Sequence, residues 1–287
     1  MSLDIKYGVS TWLWTSPFTT TSIEMLFPKI AQMGFDVVEI AVEDPALINV
    51  NAVKEGLKKY NLKAAVCGAF GPSRDLTHED TGVHQNSFAY IESCLEICAE
   101  LETGFFGGPM YSAVGKARMV PPEQRKAEWE LAVKNLGIVC KMASARGLKI
   151  ALEPLNRFES DLVNTTEDAL RLVNDINHPS AGIMLDGFHM NIEEKDIEKA
   201  IGIAGDRLIH LQVSENYRGT PGTGQTRWDL YKRGLETINY TGIVSMESFT
   251  PENQELAGAV CFWHPMADDQ DEFATAGLSF LRNWATG

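Results

Sequence analysis

Short runs rich in apolar and β-branched residues alternate with longer amphipathic stretches along the whole chain. Side chains in a strand point alternately to opposite faces, whereas a helix brings every third or fourth residue to one face. The two periods therefore distinguish the two kinds of segment. Strands are predicted at Tyr7–Trp14, Val37–Val42, Lys63–Phe70, Phe105–Met110, Lys149–Leu155, Ala181–His189, Leu208–Glu215 and Gly242–Phe249. Helical segments fill the gaps. Between Pro122 and Arg146 the apolar residues Trp129, Val133, Leu136, Val139 and Cys140 recur at helical spacing, and Gly147 supplies the stop. Thr165, followed by Glu167 and Asp168, places a capping hydroxyl and early acids at the start of the next helix.

This repeat of strand and helix is that of parallel βα units. At 287 residues the chain has the length of one (β/α)8 TIM barrel, an α/β fold, and a single domain over 1–287 is expected with its site at the C-terminal ends of the strands. A doubly wound open sheet is the alternative. The 44% hydrophobic and 22% charged content is that of a globular chain, and no apolar run approaches the ~20 residues of a membrane span. The opening MSLDIKYGVSTWLW carries Asp4 and lacks the pattern of an export signal, so a cytoplasmic location is expected. Five cysteines without CxxC spacing read as reduced thiols. A net charge of −14 argues against nucleic acid or anionic lipid as partners and favours a neutral polar substrate. The glycine-rich stretch Gly219–Gly224 lacks the lysine of a phosphate loop and reads as a flexible loop at the active site.

Reactive groups of a barrel stand where strands end, so polar residues closing an apolar strand are the ones to examine. Ile150-Ala-Leu is followed by Glu153, and Ile183-Met-Leu by Asp186. Ile243-Val-Ser-Met is followed by Glu247. One such acid is readily explained as a helix cap or a member of an ion pair. Three aimed into one space repel one another, and a divalent cation relieves that repulsion. His210 and Gln212 alternate on one strand and can both point inward; His210 lies deeper, as a packed core histidine would, and Gln212 lies nearer the mouth.

The strings LEPLNRFESDLVNT, MLDGFHMNIEE, HLQVSENYRGTPGTG and VSMESF, together with the closing CFWHPMADDQDEFATAGLSFLRNW, resemble the D-tagatose/D-psicose (allulose) 3-epimerase family of metal-dependent ketose epimerases. The resemblance implies a barrel holding Mn2+, with Mg2+ or Co2+ as alternatives, and Glu153, Asp186, Gln212 and Glu247 at the ligand positions. The family pattern has histidine where this chain has Gln212, which makes the ligand set wholly oxygen and favours hard ions. By the same matching, Glu153 and Glu247 are the two bases that exchange a proton beside a sugar carbonyl. Glu159, His189 and Arg218 are matched to substrate contacts, and Trp14, Cys67 and Phe249 to the pocket lining. Phe70, Met110 and Tyr111 are further candidates to shape that pocket.

The resemblance also implies a homodimer or homotetramer acting on a small sugar. A second reading keeps the barrel and the enolisation but acts on 3-oxo-glycosides, as an epimerase or as the catalytic subunit of a C-glycoside deglycosidase with a small partner subunit. The loops at Gly115–Pro122 and Gly219–Gly224 would then admit the bulkier group. A third reading is a non-catalytic sugar-binding or regulatory barrel. A multi-zinc endonuclease is disfavoured by six scattered histidines and the acidic charge.

Overall fold

Each apolar run forms a short parallel strand, and the amphipathic stretches form helices laid against the outside of the sheet. The computed structural model describes residues 2–287. The strands are β1 (Lys6–Ser10), β2 (Val37–Val42), β3 (Lys63–Gly68), β4 (Phe105–Gly108), β5 (Lys149–Leu152), β6 (Ala181–Asp186), β7 (Leu208–Val213) and β8 (Ile243–Met246). The helices are α1 (Ser22–Met33), α2 (Val50–Tyr60), α3 (Thr81–Glu100), α4 (Pro122–Ser144), α5 (Thr166–Ile176), α6 (Gly187–Glu193), α7 (Ile197–Ala204), α8 (Trp228–Thr237), α9 (Gln254–Ala259) and α10 (Gln270–Thr286). β1 pairs with β2 on one side and with β8 on the other, in register from Lys6 opposite Ile243 to Val9 opposite Met246. The sheet is thus a closed barrel, and the open doubly wound alternative is ruled out.

Several strands end earlier than their apolar pattern predicts, for a common reason. The polar residue at the end leaves the ladder to serve the loop or helix that follows. β6 stops at Asp186, whose carboxylate accepts from the Phe188 backbone N–H at 2.6 Å and starts α6. β1 stops at Ser10, whose hydroxyl accepts from the Trp12 N–H at the head of a 3-10 turn over Thr11–Leu13. The cap on α5 is as expected: Thr165 Oγ1 accepts from the Asp168 N–H at 3.1 Å, and the Asp168 carboxylate accepts in return from the Thr165 N–H.

Alternation along the strands separates two apolar layers. Val38, Ile40, Val66, Ile150, Leu152, Ile183, Leu185, Leu211 and Val244 join helix residues such as Leu136, Val139 and Leu172 in the large core around the barrel. Val37, Ala65, Cys67, Phe105, Ala151 and Met184 form a second cluster, the barrel interior. Burying one Leu or Ile of the outer layer contributes about 1.5–3 kcal/mol, which fixes the strand register and so the direction of every inward side chain. The interior mixes large side chains, Phe105 and Met184, with small ones, Ala65, Cys67 and Ala151. A Cβ on Gly107 would lie 2.8 Å from Met184 Sδ and 3.2 Å from Cys67 Sγ, so a larger residue there would have to displace the Met184 side chain. Among the described residues no helix is long and apolar enough to cross a membrane. All five cysteines are free thiols, four of them buried.

Candidate active site

Glu153, Asp186, Gln212 and Glu247 come from four successive strands and are brought together at the C-terminal rim. Asp186 on β6 lies directly opposite Gln212 on β7, so their side chains share one level of the barrel. Glu153 follows the last residue of β5. Its carbonyl accepts at 2.9 Å from the hydroxyl of Tyr111, which is wholly buried and acts as a brace. Glu247 follows β8 and is tied to β7 by its N–H, which donates to the Val213 carbonyl at 3.1 Å. All four side chains are buried.

The charges in this group do not cancel. Arg218 Nη1 lies 2.6 Å from Asp186 Oδ2 and 3.0 Å from Glu247 Oε2. Its guanidinium also covers the Phe188 ring at 4.4 Å and the Phe249 ring at 5.3 Å. Burial is the largest influence on Asp186 and works against its charge, but the Arg218 charge together with the hydrogen bonds from Arg218 and Glu247 and the nearby His189 holds this carboxyl below its usual range. For Glu153 burial dominates, and the neighbouring Asp186 charge pushes its pKa further upward. Burial likewise raises Glu247 despite Arg218. One arginine therefore serves three acids, and the group favours an additional cation.

Gln212 offers a test of whether a cation fits. Its Nε2 donates to Glu39 Oε1 at 2.6 Å and to Glu247 Oε1 at 2.9 Å, which uses both amide hydrogens. Its Oε1 is buried and has no hydrogen-bond partner. An unpaired buried carbonyl oxygen is costly, and together with the carboxylates of Glu153, Asp186 and Glu247 it would supply an all-oxygen donor set suited to a hard divalent ion. The residues fit such an ion.

His189 stands beside this set. Ligand atoms of Glu153, Asp186 and His189 lie within 4.8 Å of one another, a spacing that would also suit a metal. The hydrogen bonds argue for another role. His189 Nδ1 accepts from the Asn156 N–H at 3.2 Å and is 2.9 Å from Asn156 Nδ2, and burial lowers the pKa of the ring, favouring its neutral form. The ring proton therefore sits on Nε2, which is 3.6 Å from Glu153 Oε1 and 3.5 Å from Arg218 Nη2. Such a nitrogen donates. Asn156 Nδ2 also donates to Glu159 Oε1 at 2.8 Å, linking the half-buried Glu159 to His189.

The glycine-rich stretch expected to be flexible is instead tied down, because one buried carboxylate gathers its donors. Glu215 accepts from the Gly222 N–H at 2.7 Å, the Thr226 N–H at 3.1 Å and Trp228 Nε1 at 2.8 Å. That clamp holds Arg218 at a φ of 65°, a left-handed conformation uncommon outside glycine, and Ser248 Oγ donates to the Arg218 carbonyl at 2.7 Å. The segment after Gly115 is likewise pinned: the Gly115 N–H donates to the Glu159 carbonyl at 2.7 Å, and Arg118 pairs with Asp161 and Glu128.

The candidate pocket residues divide. Phe249 is buried at the rim, 5.7 Å from Trp12 and 5.8 Å from Phe262. Trp14 Nε1 donates to Asp271 of α10 at 2.6 Å and its ring lies under Lys29 of α1. Cys67 sits deeper, with Glu39 and His210, and burial pushes its thiol well up. His210 packs in the barrel centre, 5.1 Å from the Phe105 ring. Phe70 meets Tyr90 edge-on at 5.6 Å and Phe106 at a tilt, and Met110 is fully buried. Sequence reasoning missed Glu39, Asn156 and Trp12. Glu39 had a signal, being a lone carboxylate inside the apolar run VVEIAV; Asn156 and Trp12 had none beyond their neighbours.

Residues 27–283 match the family described as Xylose isomerase-like TIM barrel. The chain belongs to this family. As a xylose isomerase-like barrel it is 33% identical over 279 residues to the probable ketose 3-epimerase of Synechocystis sp., covering 97% of this chain and 96% of that protein. It is 31% identical over 290 residues to the D-psicose 3-epimerase of Ruminiclostridium cellulolyticum, covering 97% of each. The crystal structure of D-allulose 3-epimerase from Methylomonas sp. in complex with D-allulose matches with a TM-score of 0.91 and 28% identity over 99% of both chains.

Proposed function

We propose that this protein is a divalent-metal-dependent ketose 3-epimerase acting on a non-phosphorylated sugar. The observation that carries the reading is the buried rim of Glu153, Asp186 and Glu247, with one arginine among them and the unpaired Gln212 carbonyl beside them. Relatives named probable ketose 3-epimerase and D-psicose 3-epimerase, each matching 97% of the chain, support it.

Epimerisation beside a carbonyl removes a proton from one face of the carbon and returns one to the other. Glu153 and Glu247 close β5 and β8, with Asp186 and Gln212 from the two intervening strands between them, a placement that lets them address a sugar from two sides. Arg218 and the Nε2–H of His189 are placed to donate to the oxygens that gain negative charge, and Glu159 to receive a sugar hydroxyl. A divalent ion held by Glu153, Asp186, Gln212 and Glu247 would supply Lewis-acid polarisation of the carbonyl. An all-oxygen set favours Mn2+, with Mg2+ or Co2+ as alternatives. The free thiols support a cytoplasmic setting, and the family resemblance supports a homodimer or homotetramer.

The test is exchange of the α-proton in D2O, followed by NMR with free ketoses and with 3-oxo-glucosides in the presence of defined metals. Exchange at C3 of a free ketose, together with formation of its epimer, is expected. Exchange confined to oxo-glycosides would move the assignment to glycoside chemistry, and sugar binding without any exchange would leave a non-catalytic barrel.

A further inference from the structure

Below the rim lies a polar group that the proposed chemistry does not use. Glu39 extends from β2 into the barrel and is wholly buried. Its Oε2 lies 2.5 Å from His210 Nε2, which must donate because a carboxylate only accepts. Its Oε1 takes one hydrogen of the Gln212 amide at 2.6 Å, and Glu247 takes the other at 2.9 Å.

We infer that Glu39 is a positioning residue that decides which end of the Gln212 amide faces the cation. An amide is nearly symmetric in shape, and its two ends differ only in what they bind. With Glu39 on one side and Glu247 on the other, the nitrogen end satisfies two acceptors; the reversed amide would set oxygen lone pairs against two carboxylates. The nitrogen is thereby held between Glu39 and Glu247 and the oxygen left unpaired, as observed. His210 contributes by holding the Glu39 carboxylate from the far side. A glutamine can thus occupy a ligand position without the alternative of presenting N–H groups to a cation. Partners behind a ligand that fix its orientation characteristically change metal affinity by about 10–100-fold.

The inference rests on Gln212 being a ligand, and the experiment separates the two claims. The metal-stripped protein and its variants are titrated calorimetrically with Mn2+ alone, folding being checked by circular dichroism. Glu39→Leu, which removes the acceptor, is expected to weaken Mn2+ binding by about 10–100-fold. In a Gln212→Ala background the same change should have no further effect, since no amide remains to orient. Glu39→Gln should recover affinity relative to Glu39→Leu, because its carbonyl still accepts from Gln212 once His210 carries its proton on Nδ1. Should Glu39→Leu not fold, Glu39→Asp, too short to reach His210 and Gln212 together, carries the same cycle. Affinity within about twofold of wild type in the Glu39 variants, or an equal loss in both backgrounds, would overturn the positioning role while leaving the ligand in place. So would equal losses in Glu39→Gln and Glu39→Leu. Unchanged Mn2+ binding in Gln212→Ala would instead remove the ligand assignment, and the positioning role with it.

Discussion

The two halves of the barrel mouth are built from different chemistry. Glu153, Asp186, Gln212 and Glu247 stand at or next to the ends of β5 to β8, while the inward positions near the ends of β1 to β4 are Ser10, Ala41, Cys67 and Gly107. One half gathers charge; the other is small and neutral. The difference has a physical basis, because clustered carboxylates need a shared counter-charge, and acids spread around the whole rim could not be served by one arginine and one ion. The neutral half also projects little, since Gly107 has no side chain and Ala41 and Ala65 carry only a methyl. Glu39 is the exception: it belongs to the neutral half by sequence and to the charged half by its contacts.

The sharpest challenge to this division is to neutralise the charged half. Glu153→Gln and Glu247→Gln should each lower kcat by about 10²–10⁴-fold with the fold retained, measured as epimer formation alongside circular dichroism. Near-wild-type turnover in either variant would remove that residue from the proton-transferring pair. Next in size, Arg218→Gln should cost about 10²–10³-fold in kcat, as expected for a lost donor at developing charge. A change in KM alone would make Arg218 a simple binding group.

Smaller effects fall on the supports. Glu215→Gln should cost about 1–3 kcal/mol of stability at neutral pH, since an amide cannot satisfy all three donors of the loop. Burial opposes ionisation of Glu215, but its hydrogen bonds from Trp228 and Thr226 hold the folded pKa below the usual value. The contribution is therefore present above the unfolded glutamate pKa of about 4.3 and is lost as pH falls through the lower folded value. The gap between wild type and variant in urea unfolding should accordingly shrink toward acid; a gap that grew there would contradict the sign. The smallest change expected is in the neutral half. Cys67→Ala should cost about 0.5–1.5 kcal/mol, as for one lost buried methyl, and leave kcat nearly unchanged. A loss of turnover comparable to that of the glutamate variants would bring this half into the chemistry.

Much of the architecture was legible from local pattern. The strand cores, the stop of α4 near Gly147 and the capping box at Thr165 all follow from periodicity and capping chemistry, which act over a few residues. Strand ends were less legible, because Ser10 and Asp186 could continue a strand or cap the next turn, and only the following backbone N–H groups decide. The tryptophans show the same limit. Trp12 and Trp14 are two residues apart on a strand pattern, which predicts a common face; the 3-10 turn at Thr11–Leu13 breaks that period and sends Trp12 to Phe249 and Trp14 to the outer helices.

The order of residues by itself determined that strands and helices alternate, that acids stand where strands end, and that glutamine occupies one position among them. These are properties of neighbours in the chain. Tertiary structure alone decided that Glu39 reaches a glutamine 173 residues away, that Glu215 gathers the loop carrying Arg218, and that the Gln212 amide keeps its oxygen free. Barrel closure sets these contacts, because it fixes which strands face one another across the interior, a relation that no local period encodes.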